Sequence, residues 1–273
     1  MKNILVPIDF SADSINALEH AIFFANSINA DVSIIHVKKN KNFETPFYFK
    51  DFNLSVGKSL DNFMGILVNK FKDKLKNKLE YKIRQGNVYK EITNQAKYDD
   101  AYLIIMGTHG VSGFEELWIG SNAYRVVSNA PCPIITIRNG FLHKKLSNVV
   151  MPIDLTKESR KKVPFVTELA RLFKFTVHIV GVSEVKSYDV SKLNSYCSQV
   201  EEYFKNKDVK YIKKIIVGSN KTDILIEYAN KVNAELIAIM TEQPSNTAFW
   251  LGPNAQQMVN HSPIPVLSIR DQK

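Results

Sequence analysis

Cysteine is scarce in this chain, with two in 273 residues, and their placement excludes a disulfide framework. Cys132 lies between two prolines and Cys197 falls in an expected helix. Neither has metal-ligand spacing, so both read as reduced structural thiols. No apolar stretch approaches the length that spans a bilayer, which argues against a membrane protein. The opening Met-Lys-Asn-Ile-Leu-Val-Pro-Ile-Asp9 has an apolar run too short for a signal peptide, so a cytoplasmic location is expected. Catalytic signatures are missing too: no Ser/His/Asp order, no metal-binding His pair and no Gly-Lys-Ser/Thr loop occurs. Ile8-Asp9-Phe10-Ser11 imitates an aspartyl-nucleophile motif, but the second carboxylate such a motif needs is replaced by Ser11.

What is present is a core-forming composition. Hydrophobic residues make up 45% of the chain, and its length suits one large or two ordinary domains. The formal charge is +9, yet the lysines are spread over both halves, which argues against a nucleic-acid or membrane-surface partner. The densest run, Lys70 to Lys78, reads as a solvated face, with Phe71 and Leu75 pointing inward.

Strands and helices alternate along the first half. Ile4 to Ile8 is an expected strand, and Ser11 can cap a helix whose apolar face is Leu18, Ala21, Ile22, Ala25 and Ile28. Val32 to Val37 reads as a second strand and Ser55 to Asn77 as a long helix. Tyr81 to Arg84 gives a third strand and Tyr89 to Ala96 a further helix. The intervening Phe43 to Phe52 is rich in aromatics and reads as a surface against a neighbouring domain, or as a lid or base-stacking platform. This alternation predicts an α/β fold with a doubly wound parallel sheet, which binds ligands at the carboxyl ends of strands where strand order reverses.

The stretch from Leu103 to Arg138 organises the rest. Leu103 to Met106 is a strand buried on both faces. Gly107 and Gly110 allow positive φ and close ligand approach. Gly120-Ser121 then opens a helix with Ala123, Val126, Val127 and Ala130 on one face, and the strand Ile134 to Ile137 follows. The free N–H groups of such a helix start suit a phosphate. Alternatively the glycines only make turns and Ser121 is an N-cap.

The pattern recurs. Asn148-Val-Val-Met-Pro-Ile-Asp154-Leu-Thr156 repeats Asn3-Ile-Leu-Val-Pro-Ile-Asp9-Phe-Ser11, and Trp250 to Arg270 repeats Trp118 to Arg138, so the chain is an internal duplication. A short polar link past Asn139-Gly140 separates a first domain over residues 1–140 from a second over 146–273. Pro164 falls inside the second copy's first helix and is expected to kink it.

Gly107-x-x-Gly110, nine residues, then Gly120-Ser121 resembles the ATP-binding signature of the universal stress protein family, and Ala-Pro-Cys-Pro-Ile resembles that family's last strand. The resemblance covers nearly the whole chain. It implies two tandem five-stranded, Rossmann-like domains of the adenine nucleotide alpha hydrolase type, the second with a degenerate loop. It places Pro7, Asp9, Phe10 and Ser11 at the edge of an adenine nucleotide and Val37 against the adenine. Met106, Gly107, His109 and Gly110 would wrap ribose and phosphates, and Gly120, Ser121 and Asn122 would hold the phosphate chain. Asp9 has two open readings: it shares a Mg²⁺ ion with the phosphates or bonds the nucleotide's sugar or base, or it caps the first helix. Ala123 stands where ATP-binding members usually have a hydroxyl, so ADP or AMP could replace ATP.

The second copy has Met240-Thr-Glu-Gln-Pro244 in place of the glycine loop, and Pro253 in place of the serine after Gly252. One nucleotide site in the first domain is therefore expected. Without an evident general base or cationic clamp, at most slow ATP hydrolysis or self-phosphorylation is expected. The resemblance further implies an intramolecular pseudo-dimer, joining Ile134 to Ile137 with Val266 to Ile269, and allows a homodimer. Two functions remain: a nucleotide-dependent sensor or switch in the stress response, acting on an unidentified protein partner, or a scaffold with a vestigial site.

Overall fold

A computed structural model describes residues 1–38, 59–108, 120–138, 140–141, 145–183, 188–241 and 252–271. The chain divides into two units, Met1–Leu142 and His143–Lys273.

In the first unit β1 (Asn3–Pro7) runs into α1 (Ala12–Ile28), followed by β2 (Asp31–Lys38), α2 (Leu60–Phe71), β3 (Leu79–Gln85) and α3 (Val88–Tyr98). Then come β4 (Leu103–Gly107), α4 (Ser121–Asn129) and β5 (Ile134–Ile137). The strands are parallel in the order β3-β2-β1-β4-β5. Burial explains their composition: Ile4, Leu5 and Val6 of β1 and Leu103, Ile104 and Ile105 of β4 are all fully buried, as strands covered on both faces require. The aromatic segment Phe43 to Phe52 lies outside the described residues.

The second unit repeats the plan. Its elements are β6 (Asn148–Ile153), α5 (Val163–Phe173), β7 (Thr176–Ser183), α6 (Tyr188–Lys205) and β8 (Tyr211–Val217). They continue through α7 (Lys221–Lys231), β9 (Leu236–Thr241), α8 (Pro253–His261) and β10 (Val266–Arg270). The strands run parallel in the order β10-β9-β6-β7-β8. Both units are doubly wound α/β sheets.

Three expectations change. The helix expected to run to Asn77 ends at Phe71, with a 3₁₀ turn over Lys72–Lys74. Tertiary hydrogen bonds replace its continuation: Asn26 Nδ2 donates to the Lys74 carbonyl at 2.8 Å and the Lys76 N–H donates to Asn26 Oδ1 at 2.8 Å. Phe71 and Leu75 are buried as predicted, and Lys70, Lys72, Lys74, Lys76 and Lys78 are exposed. Pro164 does not kink a helix. It lies in the first turn of α5, which begins at Val163 after a separate 3₁₀ turn over Glu158–Arg160. A first-turn proline loses no helical hydrogen bond, so the proline sets where α5 starts.

The third change concerns Gly107, which does not have positive φ. A Cβ there would come within 2.7 Å of Asp13 Cβ and 2.9 Å of the Asp13 carbonyl carbon, so a side chain would push α1 off β4. The glycine is a packing requirement. Both cysteines are buried, and burial pushes the Cys132 thiol up to about 12 and the Cys197 thiol up to about 11, so both stay protonated and unreactive.

Gly107→Ala is expected to destabilise the fold by about 1–3 kcal/mol, the usual cost of overpacking a close contact; a urea midpoint equal to the parent's would contradict this. Burial pushes the His20 imidazole below its ordinary value, while the Asn16 carbonyl 2.8 Å from Nδ1 raises it in part. The depressed folded value means the unfolded chain takes up its proton first. Stability from a neutral His20 is therefore complete above about pH 6.5 and is lost as pH falls from there towards the folded value. His20→Gln should flatten the decline in urea midpoint on acidification from about pH 7.5 to about pH 5.5.

Candidate functional site

The order β3-β2-β1-β4-β5 reverses between β1 and β4, and that reversal opens a crevice at their carboxyl ends. β1 pairs with β2 as far as Pro7 opposite Ile35, so His36 to Lys38 of β2 extend past the end of β1. The strand ends therefore bring Pro7, Val37, Met106 and Gly107 to one rim.

The turn leaving β1 is built by side chains. Asp9 Oδ1 accepts from the Ser11 N–H at 3.0 Å and from Ser11 Oγ at 2.5 Å. Ser11 Oγ in turn accepts from the Ser14 N–H at 3.2 Å and so caps α1. The second unit has the same arrangement: Asp154 Oδ1 accepts from the Thr156 N–H at 2.8 Å and from Thr156 Oγ1 at 2.5 Å, and Thr156 Oγ1 accepts from the Ser159 N–H at 3.2 Å. Because both units keep this turn while only the first keeps the glycine spacing, the aspartate holds the strand-to-helix turn whether or not a ligand is present.

Phe10 occupies the corner with φ of 65°, an unusual conformation for a bulky side chain, and its ring is buried. It packs at 5.1 Å from the His36 ring, whose Nδ1 lies 2.7 Å from the Ile8 carbonyl oxygen. Burial pushes the His36 imidazole below its ordinary value, with the Ile8 carbonyl and the Asp9 carboxylate pulling the other way. With their side chains buried, Phe10 and Met106 can offer a ligand little beyond backbone.

Across the crevice, the Gly120 N–H donates to the Thr108 carbonyl at 2.8 Å and fastens the start of α4 to the end of β4. The N-cap of α4 is Gly120, with no side-chain cap, and Ser121 is the first helical residue. Ser121 is therefore not the N-cap that one reading of the sequence made it. Its side chain is exposed and Asn122 is half-buried, and the N-cap glycine supplies no side chain to the first-turn amides of α4. A Cβ on Gly120 would come within 3.3 Å of the Thr108 carbonyl oxygen, which makes the joint tight. His109 and Gly110 lie outside the described residues.

Sequence reasoning missed three participants: His36, Asp13 and Thr108. Asp13 is buried in the first turn of α1 against Gly107, and its charge counteracts the effect of burial on the Arg138 guanidinium, which lowers that group's pKa. An acid in a first helical turn usually faces solvent, so nothing in the sequence marked it. Arg138 Nε and Nη2 are buried with no hydrogen-bond partner among the described residues. Among the described residues no three His, Cys, Asp or Glu side chains come together to hold a metal ion, and no helix is long and apolar enough to cross a membrane.

Comparison with known proteins agrees with this architecture. The chain is 31% identical over 147 residues to the universal stress protein MJ0531 of Methanocaldococcus jannaschii, which takes in 50% of this chain and 82% of that protein. The crystal structure of a universal stress protein from Archaeoglobus fulgidus superposes with a TM-score of 0.74 at 16% identity, covering 98% of each chain. A universal stress protein in complex with cAMP aligns with 51% of this chain and 98% of its own, at 17% identity and a TM-score of 0.40. The family model described as universal stress protein family matches twice, over residues 1–138 and 145–270. With both units accounted for, the chain belongs to the universal stress protein family and carries its domain in tandem.

Proposed function

We propose that the first unit binds ATP, or ADP or AMP, in the crevice between β1 and β4, and acts as a nucleotide-dependent sensor or switch. The observation that carries this reading is the start of α4 at Gly120, a cap residue with no side chain, which is fastened to the end of β4 through the Thr108 carbonyl. It places first-turn amides beside the strand ends, where a phosphate chain is best held. The spacing from Gly107 and Gly110 to Gly120-Ser121 supplies the rest of the signature.

Each residue has a role in this reading. The β2 edge at Val37 meets the adenine through its backbone. Pro7, Asp9, Phe10 and Ser11 form the wall beside the sugar, and Met106, Gly107, His109 and Gly110 follow the ribose and phosphates. Gly120, Ser121 and Asn122 hold the phosphate chain. Asp9 Oδ1 already accepts two hydrogen bonds from Ser11, so a Mg²⁺ ion would arrive with the nucleotide, its charge shared between phosphate oxygens and this carboxylate. The chain's part is binding and ordering; at most it turns ATP over slowly.

A second reading rests on Ala123. This residue is buried in the first turn of α4, at the position where the resemblance to ATP-binding members calls for a hydroxyl. Under it the protein is a scaffold whose crevice is vestigial.

Calorimetry with ATP, ADP and AMP, with and without Mg²⁺, separates the two. One equivalent per chain at micromolar affinity is expected, and no binding of any of the three would leave the scaffold. Ser121→Glu sharpens the test. A glutamate in the first helical turn favours the α4 dipole by about 0.3–1 kcal/mol, so the fold is kept while phosphate is repelled. Nucleotide affinity should fall at least tenfold with no loss of melting temperature. If the switch reading holds, ATP also slows amide exchange between Gly107 and Gly120; unchanged exchange at saturating ATP counts against it.

A further inference from the structure

The second unit has a cleft of its own, lined from the ends of β6 and β9 and from the starts of α7 and α8. Its lining is largely apolar, including Val182, Leu225, Ile239 and Met258. At its wall is Lys162, 2% exposed. The two copies run in register from Asn3 and Asn148 through the matching turns at Ser14 and Ser159. Three residues further on, Lys162 stands where the first unit has Ala17, a fully buried methyl. A lysine in place of a packed alanine is costly to bury unless its charge is met.

Little in the protein meets it. Lys162 Nζ donates to the Ser159 carbonyl, and this is its one hydrogen bond among the described residues. An ammonium carries three donors, which leaves two without an acceptor there. Asp154 is close enough to stabilise the charge but makes no ion pair with it, and its Oδ1 is engaged by Thr156. Burial pushes the lysine down to about 8, with Asp154 and then Cys197 opposing.

The lining selects among acceptors. It holds Lys162 and Lys221 against Asp154 and Glu158, so there is no excess of positive charge for a polyphosphate. Pro253 at the start of α8 supplies no N–H where the first unit has Ser121. The cavity volume is about 90 Å³, below the roughly 150 Å³ of a protein cavity that admits benzene. We propose that this cleft binds a short-chain monocarboxylate, its carboxylate accepting from Lys162 Nζ and its hydrocarbon body lying against Val182, Leu225, Ile239 and Met258. The site is separate from the nucleotide crevice and stands or falls independently of it.

The test uses the full chain and butyrate, with butyramide and inorganic phosphate as comparisons. Calorimetry should show one butyrate per chain, bound at least tenfold more tightly than either comparison. Lys162→Met, which keeps the side chain's length and removes its charge, should weaken butyrate at least tenfold without lowering the melting temperature or altering ATP affinity. A readout on the unmodified protein does not depend on that variant folding: butyrate should slow reductive methylation of Lys162 at least fivefold, and butyramide should not. Equal binding of butyrate and butyramide, preference for phosphate, butyrate affinity unchanged in a folded Lys162→Met, or unprotected Lys162 at saturating butyrate would each overturn the proposal. So would no butyrate binding at all, which would leave water as the occupant.

Discussion

In each unit the chain leaves its central strand through a turn closed by a carboxylate, and the rest of the crevice depends on that turn. Asp9 grips Ser11, and Ser11 grips the Ser14 amide in the first turn of α1. Asp154, Thr156 and Ser159 do the same in the second unit. The turn satisfies backbone donors that would otherwise be orphaned at a helix start, and it directs the helix back across the sheet. α1 can then lie so close to β4 that only glycine fits at position 107. A polar turn and a missing Cβ are thus two sides of one packing solution.

The same frame carries different residues at the strand ends of the two units. In the first unit α4 starts at Gly120, which has no side chain to cap it, next to a glycine-spaced loop sequence. In the second, proline stands at the start of the matching helix and a lysine replaces the alanine behind the turn. A duplicated fold lets the two copies differ at these positions: Ser121 and Ala17 in the first stand where Pro253 and the buried Lys162 stand in the second. Binding sites of parallel sheets sit at strand ends, so such changes leave the sheet's core untouched.

Helix boundaries show how tertiary contacts override local pattern. The periodicity through Leu67, Phe71 and Leu75 reads as one continuous helix, and all three are buried. Yet Asn26, distant in sequence, takes over the backbone groups of Lys74 and Lys76 and ends the helix at Phe71. Pro164 carries a similar lesson: proline's effect depends on whether it meets a helix in its interior or at its first turn.

The sequence alone established the duplication, the alternation of strand and helix, the capping serine and the glycine spacing, because each is a local pattern with a fixed period or a fixed chemistry. It also showed that the glycine spacing occurs in one copy alone. Only the tertiary structure decided that Gly107 is required by the approach of α1, that His36 and Asp13 border the crevice, and that Lys162 is buried beside a cleft. Those facts depend on which strand neighbours which, and on where a helix comes to rest. Register between distant segments is fixed by packing of the whole sheet, and no window of sequence contains it.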